Sequence, residues 1–173
     1  MPMFDSVLPR PPDLKNEYER HKHVWTLVPD GKVREFQFLW GEKSLVVRAP
    51  CALDMATQVS EAVEPKDGAT YEFSVLANPV RRFQGSGDRP IKDIALLRVW
   101  LTERMEGFSV NETYITKFPR RPIGKNENGF AYPVLFHGMA TVKDEVNAQK
   151  TWSAGIGRTR AFGYGLLLLA PLN

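Results

Sequence analysis

Residues 14–48, LKNEYERHKHVWTLVPDGKVREFQFLWGEKSLVVR, change from a helical pattern to a strand pattern and decide the fold. Within residues 14–28, the positions at steps of three and four predict one helix face, formed by Leu14, Tyr18, His21, Trp25 and Val28. The Pro-Asp-Gly sequence at 29–31 ends this helix. Aromatic residues then alternate with other residues over 36–40, and an apolar run follows at 45–48. This pattern predicts a β-hairpin.

The rest of the first half continues with one more helical and one more strand pattern. Residues 53–63 predict a short helix. Residues 71–76 predict a strand, because Phe73 and Val75 alternate with polar side chains. If residues 3–8 form a further strand, the first half has the element order βαββαβ.

The second half can be assigned the same order of elements. Pro90 begins a predicted amphipathic helix that Gly107 ends. The later segments predict strands at 113–118 and 132–142, a helix at 144–153 and a fully buried strand at 166–170. The strand at 71–76 either closes the first unit, so that another near 79–83 opens the second, or is shared by both units.

Two βαββαβ halves predict an α+β fold of two tandem ferredoxin-like units with antiparallel sheets. The expected units are residues 1–80 and residues 81–173, the second of which contains a glycine-rich loop. Because this fold serves many functions, the function must be inferred from individual residues.

The composition is that of an ordinary globular protein, with 173 residues of which 43% are hydrophobic and 25% charged. Cys51 is the single cysteine, so no intramolecular disulfide forms. Cys51 and three scattered histidines do not predict a zinc site, and we expect no metal and no cofactor. The sequence predicts no signal peptide, and its longest apolar run, 166–170, is too short to cross a bilayer. With the unpaired cysteine, this favours a cytoplasmic protein without a membrane partner.

The net charge of +3 is unevenly divided along the chain. Residues 1–80 contain 9 basic and 12 acidic side chains, a net charge of −3, whereas residues 81–173 contain 14 and 8, a net charge of +6. Such asymmetry is typical of a chain whose second half contacts a polyanion. The alternative is a chance clustering of solvated surface charges.

A glycine-rich segment, GIGRTRAFGYGLLLLAPL at 155–172, has four glycines within eleven residues: Gly155, Gly157, Gly163 and Gly165. Such a backbone can turn sharply and bring its N–H groups close to an anion. The spacing matches neither the dinucleotide fingerprint nor the P-loop. Arg158 and Arg160 instead supply positive charge suited to phosphate. The alternative is a tight helix-to-strand connection without a ligand.

The glycine-rich segment resembles the C-terminal motif of the CRISPR-associated repeat-processing endoribonucleases, in particular the CasE branch that serves type I-E Cascade. Two further segments support the resemblance. YERHKHVWTLVPD at 18–30 is similar to the family's first helix, and ANPVRR at 77–82 is similar to the segment after its first unit. The family is built from two ferredoxin-like units, which agrees with the element order.

The resemblance implies a metal-independent endoribonuclease that cleaves CRISPR repeat RNA at a stem-loop. The substrate's 2′-hydroxyl would attack the adjacent phosphate and leave a cyclic phosphate and a 5′-hydroxyl. The expected partners are this RNA and other subunits of a Cascade-like complex. One alternative is a non-catalytic RNA-binding subunit, and a more distant one is a regulatory domain that binds a metabolite at the glycine-rich loop.

Histidine suits the proton transfer in such a reaction, because its ordinary pKa near 6.5 keeps both protonation forms available. By the resemblance, His21 is the catalytic acid or base, and Tyr18 orients the ribose or the scissile phosphate. The alternative for His21 is a core histidine that completes the apolar stripe. His23 points away from His21 and is expected to face solvent, and His137 has no partner visible in the sequence.

The RNA backbone would be bound mainly by the basic second half. We expect Lys125 to be a solvated loop charge. The expected RNA-binding residues are Arg81, Arg82, Lys117, Arg120, Arg121, Gly155, Gly157, Arg158, Arg160, Gly163 and Gly165.

Overall fold

The computed structural model describes residues 1–28, 35–85, 87–124 and 129–172. Its strands and helices follow in this order along the chain: β1 Phe4–Pro9, α1 Glu17–Leu27, β2 Gln37–Trp40, β3 Ser44–Ala49, β4 Gln58–Glu61, β5 Thr70–Ala77, β6 Val80–Phe83, β7 Gly87–Pro90, α2 Ile94–Arg104, β8 Phe108–Lys117, β9 Arg121–Pro122, β10 Phe130–Ala131, β11 Val134–Val142, α3 Glu145–Ala154 and β12 Leu168–Pro171. None of the helices in the described ranges is long and apolar enough to span a membrane.

The chain forms two compact units, and both are discontinuous in sequence. The first contains Met1–Ala62, Arg121–Phe130 and Ala161–Gly163; the second contains Val63–Arg120, Ala131–Arg160 and Tyr164–Asn173. This division differs from the expected units 1–80 and 81–173. The strand predicted at 71–76 neither closes the first unit nor is shared, because β5 pairs with β11 and β12 of the second unit.

The first unit has an antiparallel sheet with the order β2-β3-β1-β4. Its core includes Val24 of α1 together with Phe38, Leu45 and Val47 of β2 and β3, all of which are buried. Helix α1 begins at Glu17 rather than at residue 14, because the Asn16 side chain accepts a hydrogen bond of 2.9 Å from the Glu19 backbone N–H.

The predicted helix at 53–63 is wrong. The chain there forms β4, which pairs with β1 from Phe4 opposite Glu61 to Val7 opposite Gln58. All four side chains of β4 are exposed, so a helix over this segment would bury little apolar surface. As a strand, the segment instead satisfies backbone groups along the edge of β1.

The second unit has an antiparallel sheet with the order β12-β5-β11-β8. Helices α2 and α3 join its strands in the order β5-α2-β8-β11-α3-β12. Trp100 of α2 stacks on Phe136 of β11, with 5.8 Å between the ring centroids. In both sheets the strands lie in the same order: fourth, first, third, second. The prediction of two tandem ferredoxin-like units with antiparallel sheets is therefore confirmed.

The prediction of a fully buried last strand at residues 166–170 is wrong, because β12 is only partly buried. The leucines at 166 and 167 are buried, but they precede β12, in which Ala170 and Pro171 are exposed. In the described part of the sheet, β12 lies at an edge and pairs with β5 alone. An edge position also explains why the strand tolerates Pro171.

Candidate active site and nucleic-acid interface

Both ring nitrogens of His21 are hydrogen-bonded within the first unit. Nδ1 contacts the Ala161 carbonyl oxygen, and the Trp25 indole N–H donates to Nε2 over 2.7 Å. A carbonyl oxygen only accepts and an indole N–H only donates. These partners therefore assign the proton of a neutral imidazole to Nδ1 and the lone pair to Nε2.

Gly163 allows the glycine-rich segment to approach His21. Its φ is +91°, and a Cβ at this position would lie 2.5 Å from a ring carbon of Phe38. The neighbouring Phe162 ring lies 5.7 Å from the His21 ring, centroid to centroid. A glycine is thus required where the backbone passes Phe38 and presents the Ala161 carbonyl to His21.

Tyr18 lies three residues before His21 on α1 and is 37% exposed. Residues three apart lie on the same side of a helix, so both side chains are on one face. The Tyr18 backbone N–H donates to the Ile123 carbonyl over 2.9 Å, which fixes the first turn of α1. The Lys22 ammonium lies 5.7 Å from the centroid of the Tyr18 ring.

The prediction that His23 faces solvent is wrong. His23 is half-buried, and its ring packs edge-on against Trp40 with 6.1 Å between centroids. His137 is exposed on β11 and stacks on Tyr114, with 5.2 Å between centroids.

Arg121 has a structural partner in the first unit. Its Nε donates to the carboxylate of Glu17, whose side chain is only 1% exposed, and Arg20 lies 3.5 Å from the same carboxylate. A buried carboxylate requires such cationic partners. Arg121 therefore anchors the beginning of α1, which the spacing of basic residues could not show.

The remaining basic candidates of this region lie on the surface. Lys117 donates to the Lys92 carbonyl, and Arg120 is exposed. Lys125 lies outside the described residues.

The arginines of the glycine-rich segment lie in the second unit and are partly committed to neighbours. Arg158 Nη1 donates to both carboxylate oxygens of Asp88, over 2.9 and 2.8 Å. Arg160 Nη1 donates to the carbonyl of Ala154, the last residue of α3, over 2.7 Å. This contact satisfies a carbonyl at the helix C-terminus.

Arg81 and Arg82 are exposed on β6, and a further arginine, Arg104, is the last residue of α2. Burial lowers the pKa of the Arg104 guanidinium; Glu103 raises it, and the positive charges of Arg158 and Arg81 lower it. Arg81 and Arg158 thus lie close enough to Arg104 for their charges to act on it, and we refer to these three residues as the arginine cluster. Their mutual repulsion favours binding of an anion.

Sequence reasoning missed Arg104. The sequence does contain one indication of its position: Arg104 follows Trp100 by four residues, and on a helix this spacing can place a cation over the aromatic ring. In the structure its guanidinium lies 4.5 Å from the Trp100 ring centroid.

Gly157 brings the glycine-rich segment onto Trp100. Its φ is +79°, and a Cβ there would lie 2.9 Å from two carbons of the Trp100 ring. Gly155 and Gly165 also have positive φ, and a Cβ on Gly155 would lie 3.0 Å from the Gly165 carbonyl oxygen. The glycines thus allow tight packing of the loop that carries Arg158.

Asn78 is a second residue that sequence reasoning missed, although it lies in the ANPVRR segment. It is 4% exposed, and its amide nitrogen donates to Thr159 Oγ1 while its amide oxygen accepts from the Tyr132 backbone N–H, each over 2.8 Å. Thr159 has a φ of +66°, which is unusual for a residue other than glycine. Asn78 therefore holds the loop between Arg158 and Arg160.

Among the described residues, no three His, Cys, Asp or Glu side chains form a group that could hold a metal ion.

The chain resembles a family of known proteins over nearly its whole length, and individual relatives over most of it. A family model described as CRISPR associated protein matches residues 6–171. The Cascade subunit CasE of Escherichia coli is 24% identical over 90% of this chain and 92% of its own. The CRISPR-associated endoribonuclease Cse3 of Thermus thermophilus is 31% identical over 61% of this chain and 58% of its own.

A solved structure of the CRISPR endoribonuclease Cse3 bound to 19 nt RNA has a TM-score of 0.79 to this chain. It is 25% identical and covers 98% of each chain. The chain therefore belongs to this family of CRISPR-associated proteins, as its resemblance to the CasE branch predicts.

Proposed function

We propose that the chain is an endoribonuclease that cleaves CRISPR repeat RNA beside a stem-loop and remains with the product in a Cascade-like complex. The observation that carries this proposal is the pair of hydrogen bonds on the His21 ring, because the contact of Nδ1 with the Ala161 carbonyl leaves Nε2 as the nitrogen that can accept a proton. The similarity to Cse3, named an endoribonuclease and solved with RNA, and to the Cascade subunit CasE supports it. We also infer a cytoplasmic location, which the unpaired Cys51 favours.

The proposed reaction is metal-independent. The 2′-oxygen forms a bond to the adjacent phosphorus while the bond from phosphorus to the 5′-oxygen breaks, which leaves a cyclic phosphate and a 5′-hydroxyl. His21 Nε2 either accepts the proton of the 2′-hydroxyl or, once protonated, donates a proton to the leaving 5′-oxygen. The Ala161 carbonyl keeps Nδ1 protonated and so makes Nε2 the reacting nitrogen.

RNA would take the place of one observed contact of His21. The Trp25 N–H occupies the Nε2 lone pair, so this donor must leave before Nε2 can accept the proton of the RNA 2′-hydroxyl or carry a proton to the leaving 5′-oxygen. Tyr18, on the same helix face, would position the ribose or phosphate through its exposed side chain.

The arginine cluster of the second unit would bind the RNA backbone, together with Arg82, Lys117 and Arg120. Guanidinium groups donate in pairs to phosphate oxygens, and an A-form stem is recognised mainly through its backbone and shape. The contribution of Arg121 would be indirect, through Glu17 and the beginning of α1.

The Trp25 contact also favours a second candidate function, a non-catalytic RNA-binding subunit. In that case the hydrogen bond from Trp25 to His21 would be structural and permanent. Such a subunit would bind repeat RNA tightly and in a salt-sensitive manner but would yield no cyclic-phosphate product.

The test is cleavage of a cognate repeat RNA in EDTA, with product ends identified by mass spectrometry. We expect a cyclic phosphate and a 5′-hydroxyl, and no cleavage when the nucleotide before the scissile phosphate is 2′-deoxy. Cleavage of the 2′-deoxy substrate would contradict the mechanism, and loss of cleavage in EDTA that Mg²⁺ restores would contradict metal independence. Tight binding without any product would support the second candidate.

A further inference from the structure

One face of the second sheet carries a cavity that the proposed function does not use. Phe136 of β11 points to the face that contacts α2, where it stacks on Trp100. Because successive side chains of a strand point to opposite faces, His137 points to the other face, which we call the open face.

The strand register defines the row of side chains around His137 on the open face. His137 lies opposite Tyr114 of β8 and opposite Ser74 of β5, and Ser74 lies opposite Leu168 of β12. Tyr114 covers one side of the His137 ring, with 22° between the ring planes. Ser74 is small, so a gap remains between the other side of the ring and Leu168.

The gap is part of a cavity of about 420 Å³, all of whose lining residues belong to the second unit. This volume lies within the range of pockets that hold small ligands or single side chains. Leu168 and Met139 supply apolar side chains on the open face, and His137 and Tyr114 supply exposed rings.

The charge of the cavity is negative. In the adjacent row, Met139 lies opposite Glu72 on one side and Glu112 on the other, and both carboxylates belong to exposed residues. Tyr114 donates its hydroxyl hydrogen to Glu112, and this contact together with the Glu112 charge raises the pKa of the Tyr114 phenol. Among the described residues, none that lines the cavity is Lys or Arg.

We propose that the cavity binds the guanidinium group of an arginine side chain presented by a protein partner. The planar group would stack on the uncovered side of the His137 ring and donate to the Glu72 carboxylate, while Glu112 adds negative charge. Arg fits better than Lys, because its planar group both stacks on rings and donates in pairs to a carboxylate. RNA fits poorly, because two carboxylates repel its phosphates.

The proposal can be tested on the full chain with ¹⁵N-labelled protein and N-acetyl-L-arginine amide as the probe. The neutral isostere, N-acetyl-L-citrulline amide, and the corresponding lysine amide are the matched probes. We expect saturable amide shifts around Ser74 and His137, with the affinity for the arginine probe roughly two- to fivefold above that for either matched probe. Equal affinity for arginine and citrulline would overturn the proposal, as would repeat RNA shifting these amides instead.

Variants that each replace one carboxylate by a neutral amide locate the site. Glu72→Gln should weaken arginine binding roughly two- to fivefold, whereas Glu106→Gln, an equal change of charge at an exposed position outside the cavity lining, should not. Unchanged binding by Glu72→Gln would overturn the assignment. RNA cleavage by Glu72→Gln is expected at the unaltered rate, so this proposal can fail or succeed independently of the proposed function.

Discussion

The indole N–H of Trp25 donates a hydrogen bond to Nε2 of His21 over 2.7 Å, one turn apart on α1. The Trp25 ring itself packs edge-on against Phe36, with 5.1 Å between centroids, so its position is supported from the other side. Nε2 of His21, the proposed acid or base, is therefore blocked by a hydrogen bond from its own helix, and the substrate must compete with that hydrogen bond.

Trp25→Phe keeps a ring beside Phe36 and removes the donor to Nε2. Because one neutral hydrogen bond is worth about 0.5–1.5 kcal/mol, we expect the single-turnover cleavage rate at saturating RNA to rise roughly two- to tenfold. Rapid-quench kinetics would measure this, with thermal unfolding as the check on folding. A large fall in rate with unchanged RNA binding would instead make Trp25 a residue that positions His21.

Gly163→Ala should destabilise the protein. The left-handed backbone costs a non-glycine residue about 1–2 kcal/mol, and the new Cβ would overlap the Phe38 ring, which adds about 1–3 kcal/mol. Urea unfolding measures the loss. Gly124→Ala is the control, because no atom of the described residues lies within 4 Å of its added Cβ, and the free energy of unfolding of this variant should change by less than about 0.5 kcal/mol. Equal effects of the two variants would contradict the close approach.

Asp88→Asn should strengthen RNA binding. The Asp88 carboxylate occupies Arg158 as a phosphate would, with both side chains partly exposed at 40% and 53%. Its removal should raise the affinity for RNA about three- to tenfold at low salt. The slope of log affinity against log salt concentration should become steeper by about the amount that one additional phosphate contact gives. Filter binding over a salt series measures both, with Glu106→Gln as the charge-matched control. Weaker binding by Asp88→Asn would mean that Asp88 positions Arg158 rather than competing with RNA.

Tyr114 should ionise above the ordinary phenol pKa near 10, because the folded state offers its hydroxyl a hydrogen bond to Glu112. Because folding raises the pKa of this phenol, the hydrogen bond stabilises the folded state fully at pH values below the pKa of the unfolded state. This stabilisation is lost as the pH rises through the pKa of the folded state. Difference absorbance of the phenolate should therefore show one of the five tyrosines titrating earlier in Glu112→Gln than in the wild type. Identical titration curves would contradict the Tyr114–Glu112 contact.

The elements with a clear apolar period were predictable from sequence. The helix over 14–28 and the hairpin after it form because their periods place a continuous face toward one core, and α1, β2 and β3 are found there. Residues 53–63 lacked this basis: Leu53 is buried, but the exposed residues of β4 are held by pairing with β1, which local sequence does not reveal.

The roles of individual charged residues were less predictable, because their partners are distant in sequence. The sequence predicts Arg121 to bind RNA phosphate at the surface, yet its side chain contacts Glu17, 104 residues earlier. Asn78 contacts Thr159, 81 residues later. The charges of Arg81 and Arg158, which are distant in sequence, act on Arg104 and make it part of the arginine cluster. Tertiary contacts of this kind determine whether a charge is structural or available to RNA.

Replacement of His21 separates catalysis from binding. In single-turnover cleavage of saturating repeat RNA in EDTA, we expect His21→Ala to lose at least about 100-fold in rate while RNA affinity changes little. His23→Ala should retain cleavage. Cleavage by His21→Ala at the wild-type rate, with the same cyclic-phosphate product, would contradict the role of His21 as the acid or base.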